Sequence, residues 1–221
     1  MELTRSQKVF TFVGTLLGLL LAALDQTVVA TAAPTIVEKL QIPPSLYVWI
    51  TTAYMLASTL LVPVWGKLSD LYGRKKVVIG GIALFLVASV LCGLSQTTGQ
   101  LIAARGLQGA GSAALFTTAF AVVADMFAPA ERGKYSGIFG GVFGLSSLVG
   151  PLLGGFITHH LGWHWVFFIN LPVGALALFF IITRMPPLLR PQTVAPKVDW
   201  GGAVLLALAI GPLLVAMTLS R

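Results

Sequence analysis

Two ionisable residues stand inside stretches that otherwise carry no charge. Asp25 interrupts an apolar run that starts after Lys8, with 16 uncharged residues between the two. Arg105 separates two uncharged runs, 77–104 and 106–124. A charge placed in hydrocarbon costs at least about 2.5 kcal/mol on insertion scales, so an intramembrane acid or base is read first as functional. Burial away from water makes a carboxyl take up a proton more readily, and a nearby cation opposes this. A group balanced in that way can load and release a proton as its surroundings change. Arg105 has a competing reading, in which its long side chain snorkels to the lipid headgroups. The Asp25 side chain is too short for that.

A second constellation is the loop Gly66-Lys67-Leu68-Ser69-Asp70-Leu71-Tyr72-Gly73-Arg74-Lys75-Lys76. Gly66 and Gly73 suit a tight turn between closely packed helices. Asp70 and Arg74 suit charge-assisted bonds to a neighbouring helix end, and Asp125 is the partner expected for Arg74. A third is a glycine series: Gly137, Gly140, Gly141, Gly144, then Gly150-Pro151-Leu152-Leu153-Gly154-Gly155. Glycines four apart lay a bare strip along one helix face and permit close helix contact. Pro151 removes a hydrogen bond and bends the helix. The stretch Gly109 to Ala114 fits a dinucleotide fingerprint, but that motif needs a preceding strand and an exposed turn. Here it lies inside an apolar run and reads as helix packing. No nucleophile elbow, P-loop or metal-ligand cluster appears, so neither an enzyme nor a cofactor is expected. Cys92 is the single cysteine. His159, His160 and His164 have no carboxylate or cysteine beside them and read as headgroup-level residues rather than a metal site.

The elements that must position these residues are membrane helices. A bilayer's hydrocarbon core takes about 20 apolar helical residues to cross. Spans are expected at 9–32, 46–67, 76–95, 101–125, 135–157, 165–184 and 201–219. The uncharged run 135–183 is too long for one crossing and is divided at 158–164. Only 10% of residues are charged, against about 25% in soluble domains, so the chain lacks the surface to face water all round. The fold class is an all-α integral membrane protein, because continuous apolar runs of this length are not the alternating segments of a β-barrel. The net charge of +7 does not point to nucleic acid, since the positive residues sit in short loops and form no basic face. Eleven of them (Arg5, Lys8, Lys67, Arg74, Lys75, Lys76, Arg132, Lys134, Arg184, Arg190 and Lys197) fall on one side if the spans alternate. That side is expected to be cytoplasmic, with the N-terminus on it. Asp25 then lies about 10 Å deep from the outer end, and Arg105 about 7 Å deep. Trp49, Trp163, Trp165 and Trp200 fall near expected interfaces, and Cys92 is expected near the outer face. Residues 185–200, with four prolines, read as a cytoplasmic linker. The start also resembles a secretory signal, with Ala30-Thr31-Ala32 as a cleavage site; Asp25 and the length of the run speak against this.

The loop at 66–76 resembles the signature loop of the major facilitator superfamily, G-x-L-[AS]-D-[RK]-x-G-R-[RK], with Leu71 where a basic residue is usual. Leu101 to Gly109, with Arg105, Gln108 and Gly109, is similar to that family's helix-four motif. Gly150, Pro151, Gly154 and Gly155 match its helix-five antiporter motif. Leu24 to Pro34 is similar to the helix-one motif of the fourteen-helix drug/proton antiporters. Trp163 to Pro172 also fits that subfamily, with His164 where arginine is common. The resemblance implies that 1–184 is an N-terminal six-helix half, that 185–200 is a linker, and that 201–221 begins an inserted pair of helices. It implies that Asp25 and Arg105 handle the proton. It implies that Gly66, Asp70, Gly73, Arg74 and Asp125 form a cytoplasmic gate, and that the helix-five motif forms part of a moving interface.

Such transporters have fourteen helices and place their site between two halves. Seven spans therefore read as a truncated product or fragment that needs a C-terminal half. The expected function is proton-coupled export of hydrophobic or cationic drugs, with protons, a small-molecule substrate and the lipid bilayer as partners. The expected location is a plasma membrane, the bacterial inner membrane by resemblance. The alternatives are an exporter of one metabolite, such as an amino acid or a siderophore, and a truncated non-transporting membrane partner.

Overall fold

The computed structural model describes residues 4–188 and isolated positions between 201 and 216. The expected linker beyond residue 188 and the expected seventh span lie, apart from those positions, outside the described residues. Over residues 4–188 eight helices follow in order: α1 (Arg5–Leu40), α2 (Pro44–Tyr47), α3 (Trp49–Tyr72), α4 (Arg74–Gly93), α5 (Thr98–Met126), α6 (Pro129–His160), α7 (Trp165–Phe168) and α8 (Asn170–Arg184). With α2–α3 and α7–α8 each counted as one span, six helices among the described residues are long and apolar enough to cross a membrane.

Local chemistry places the ends. Thr4 starts α1 and Thr97 starts α5, each with a glutamine three residues on that completes a capping box. The paired bonds satisfy amide groups that a helix start leaves open. Pro129 opens α6, where its missing N–H costs nothing. These caps lie outside the apolar runs, so the helices outgrow the expected spans. α1 starts at Arg5 and runs on through Pro34, Glu38 and Lys39, while α6 gains a turn before Tyr135. The loop at 66–76 is shorter than expected. Gly66 stays inside α3 and its Cα faces Thr117, so it is not a turn residue. The connection is Gly73 alone, at φ 90°, a region that glycine enters without strain.

α5 lies between α3 and α4, and α1 packs on α6 and α8. In lipid, helix association rests on close packing and polar bonds, since the tails are as apolar as leucine. The small residues of α5 supply the packing. A β-carbon on Gly111 would stand 2.6 Å from the Phe85 nitrogen, and one on Gly109 would overlap the Tyr54 carbonyl oxygen. The fingerprint-like stretch is therefore buried helix contact. On α6 the glycine series splits. Gly150 meets Thr27 and Gly154 meets Val28 and Thr31 of α1, whereas Gly137, Gly140, Gly141, Gly144 and Gly155 have no neighbour within 4 Å of an added β-carbon. The expected continuous strip is a contact only over its second part. The spacing of four is the same in both parts, but only Gly150 and Gly154 face α1. Leu148, Leu152 and Phe156 point outward from α6, as suits a helix bordered by hydrocarbon or by further protein.

Trp163 and Cys92 lie near helix ends, as expected, but neither is open to solvent. Trp163 is buried, edge-on to Phe167, while Trp165 is exposed. Cys92 is fully buried, because the α4 face that carries it turns towards α5.

Candidate functional site

Five helices send polar groups into one buried cluster. Asp25 comes from the middle of α1 and Arg105 from the second turn of α5. Arg105 Nη1 donates to Asp25 Oδ2 at 2.5 Å, and the two side chains are 0–1% exposed. The guanidinium turns inward, so Arg105 does not snorkel. Its Nε donates to the Ile50 carbonyl on α3 at 3.1 Å, and its Nη1 also donates to Gln108 Oε1 at 2.6 Å. The Tyr54 ring lies under the guanidinium, 4.3 Å from Cζ, an arrangement that attracts a desolvated cation. The tyrosine hydroxyl bonds Ser112 at 2.7 Å.

The other carboxylate oxygen is held by amides. Gln108 Nε2 donates to Asp25 Oδ1 at 2.8 Å and Asn170 Nδ2, from the start of α8, donates to it at 2.9 Å. Both amides also donate to Ser89 Oγ on α4, at 3.1 and 2.8 Å. Ser89 donates in turn to the Phe167 carbonyl at 2.9 Å, in the break where α7 gives way to α8. The Cys92 thiol reaches Gln108 Oε1 at 3.5 Å. A buried charge pair is sustained only when its remaining donors and acceptors are also satisfied, and here neutral groups from α4, α5 and α8 do that. Ser89 and Tyr54 are not among the residues the sequence singles out, and Asn170 enters there only within the Trp163–Pro172 resemblance, with no role assigned. The signal that could have found Asn170 is its polarity: it is the chain's one asparagine, within an uncharged run.

A second charge cluster ties the opposite end of α4 to α5. Arg74 Nη2 meets Asp70 Oδ1 at 2.6 Å, its Nε donates to Asp125 Oδ2 at 2.8 Å, and its Nη1 donates to Ser69 at 2.9 Å. A cation at a helix start and an anion at a helix end both oppose the helix dipole. Arg74 opens α4 and Asp125 is near the end of α5, so their bond offsets both penalties. Three nitrogens on one planar fork serve three partners, which an ammonium cannot reproduce. Arg74→Lys is expected to lower stability by about 1–3 kcal/mol, read by thermal unfolding in detergent. Asp70→Asn is expected to cost less, because Asp70 is half exposed; equal losses would contradict this division.

The glycines of the expected gate and of the helix-five motif play separate parts. Gly73 forms the α3–α4 turn and Gly66 packs on α5. Gly150 and Gly154 bring α6 onto α1 just beyond Asp25, where Thr27 donates to the Ser146 carbonyl at 3.0 Å. Pro151 and Gly155 face outward. Among the described residues no group of three or more histidine, cysteine, aspartate or glutamate side chains could hold a metal ion.

Comparison with known proteins agrees with this architecture. Residues 15–220 match the family model of the Major Facilitator Superfamily. The chain is 49% identical over 210 residues to "Multidrug resistance protein 3" of Bacillus subtilis (strain 168), which covers 95% of this chain and 40% of that protein. It is 40% identical over 214 residues to "Multidrug transporter protein MdtP" of the same organism, covering 97% of this chain and 39% of that one. It thus spans about two fifths of the length of these curated relatives. Among solved structures, the human organic anion transporter MFSD10 (TETRAN) superposes with a TM-score of 0.70 at 21% identity, over 90% of this chain and 53% of that one. The fold, the buried acid–base pair and the match over residues 15–220 lead to one assignment: this multi-pass membrane chain belongs to the major facilitator superfamily.

Proposed function

We propose that this chain supplies one half of a proton-coupled exporter of hydrophobic compounds, cationic ones among them. The observation that carries the reading is the buried Asp25–Arg105 pair. A carboxylate whose charge is held by one cation can be neutralised by a proton, and that neutralisation weakens the bond to the cation and favours a second arrangement of the helices. The multidrug names of the two bacterial relatives support the substrate class. So does the scarcity of charge in the spans, since loose substrate choice depends more on apolar area than on directed bonds. A second half completes the pathway in this reading, because the matched relatives extend well beyond the shared segment.

The Arg74 cluster, with Asp70 and Asp125, would hold the end of the bundle bearing Gly73 rigid, so that this end latches against the second half on the cytoplasmic side. The α1–α6 contact at Gly150 and Gly154 would be part of the surface that rocks. The excess of Lys and Arg at the Gly73 end favours the cytoplasmic side for it, with the N-terminus there too, in a plasma membrane such as the bacterial inner membrane.

The test uses a chimera in which this chain replaces the matched segment of the B. subtilis Multidrug resistance protein 3. In vesicles, an imposed pH gradient is expected to drive uptake or efflux of a lipophilic cationic dye. Asp25→Asn is expected to abolish the gradient-driven part while dye binding persists. Full coupling in that variant would show that Asp25 is not the carrier.

A further inference from the structure

The hydrogens around Asp25 can be followed one by one. Oδ2 receives a hydrogen from Arg105, and Oδ1 receives one from Gln108 and one from Asn170. Each of these three nitrogens spends its second hydrogen elsewhere: Arg105 Nη1 on Gln108 Oε1, and the two amide nitrogens on Ser89 Oγ. Ser89 accepts two bonds and donates its one hydrogen to the Phe167 carbonyl, which uses all that a hydroxyl offers. The partners of the two carboxylate oxygens are thus all donors. Guanidinium has no acceptor, and an amide nitrogen has none either. This arrangement fits a carboxylate and gives a carboxylic acid no place to put its hydrogen.

Loading a proton therefore requires one neighbour to present an acceptor, and the two amides are not equivalent. If Gln108 turned, its nitrogen would face Arg105 Nη1, donor against donor, because its oxygen is now engaged by that group. Asn170 has no such tie to the guanidinium. It also opens α8 directly after the break at Ile169, outside the rigid middle of a helix. The titratable groups nearest the carboxylate are Arg105 from α5, Tyr54 from α3 and Cys92 from α4. α6 carries no charged residue between Lys134 and His159, and neither α7 nor α8 carries one before Arg184.

We infer that Asn170 is a positioning residue for Asp25, and that its amide turns when Asp25 takes up a proton, so that Asn170 Oδ1 accepts the new O–H. The step breaks both Asn170 N–H bonds, to Asp25 Oδ1 and to Ser89 Oγ, and forms an O–H bond from Asp25 to Asn170 Oδ1; Ser89 keeps the Gln108 amide and can swing its own hydrogen from the Phe167 carbonyl to Asn170 Oδ1. The proton comes from water and stays on Asp25, and no electrons move. The inference rests on reading Asp25 as the proton carrier.

Because the chain holds a single asparagine, labelling with ¹⁵N-asparagine gives one side-chain NH₂ pair. In the chain reconstituted in lipid nanodiscs, that pair is expected to exchange with water roughly ten- to hundredfold more slowly than a free asparagine at alkaline pH. On acidification its shifts are expected to move reversibly, and Asp25→Ala is expected to remove that response. Should Asp25→Ala fail to fold, Asp25→Glu serves instead, with a displaced signal expected from its longer side chain. A pair that exchanges freely, or that answers to pH in the absence of the Asp25 carboxyl, overturns the inference and leaves the transport reading to its own gradient test. A pair that does not respond to pH in the unsubstituted chain also overturns it. If the response depends on Asp25 while the chimera transports without regard to a pH gradient, the inference is supported and the transport reading alone fails.

Discussion

Arg105→Leu is expected to lower the stability of the bundle by about 3–5 kcal/mol, because it leaves a carboxylate buried without its cation. Asp25 would retain the amides of Gln108 and Asn170, which are neutral and cannot replace a full charge. The loss also includes the bond to the Ile50 carbonyl and the contact with the Tyr54 ring. Arg105→Lys keeps the charge but not the fork that reaches Asp25, Gln108 and Ile50 together, so its cost should fall between those of leucine and arginine. The decisive comparison is a double variant. Asp25→Asn with Arg105→Leu removes both charges, and it should recover a large part of the loss seen in Arg105→Leu alone. Thermal and denaturant unfolding in detergent would check all three. A single variant as stable as the parent chain would mean that the pair does not hold the helices together.

Gly109→Val should be the most damaging neutral substitution in α5. A β-carbon there overlaps the Tyr54 carbonyl oxygen, which is backbone and cannot swing aside. Relief requires α3 and α5 to separate. Separation stretches the Tyr54–Ser112 and Arg105–Ile50 bonds that flank the charge pair. Overpacking of this kind costs about 1–3 kcal/mol before those bonds are counted. Gly106 is the internal control, since a β-carbon there meets nothing within 4 Å. Gly106→Ala should be neutral or slightly stabilising, because alanine is the better helix former by up to about 1 kcal/mol. Yield of folded protein in the membrane, with unfolding in detergent, would read both. Similar behaviour of the two glycines would contradict the close α3–α5 approach.

The six spans that fall on described residues and the acid–base pair were legible in the sequence for one reason. A charge within an apolar run is conspicuous, and crossing a bilayer needs a run of known length. The neutral members of the site were not legible. Serine, glutamine and asparagine cost far less than a charge in an apolar helix, so Ser89 does not stand out by type, and Asn170, though the chain's single asparagine, shows nothing of what it meets. Whether they meet Asp25 depends on how each helix is rotated, and for Asn170 on a helix break that Pro172, in the first turn of α8, marks without fixing which way the side chain faces. Helix rotation also separates Gly150 and Gly154, which touch α1, from Gly137 and Gly141, which have the same spacing and touch nothing. The helix ends were hidden differently. Glu38 and Lys39 look like loop residues by charge, yet α1 continues through them once it has left the apolar zone.

The connection between α3 and α4 has no slack. One residue, Gly73 at φ 90°, spans the gap, and the residue after it is bonded to Ser69, Asp70 and Asp125. A joint this short cannot absorb a change in chain length, so an insertion there would have to unwind the first turn of α4 or the last of α3. It also cannot let one helix slide while the other stays. Whatever movement this end of the molecule makes, α3 and α4 make it as a single stiff lever, with α5 fastened alongside.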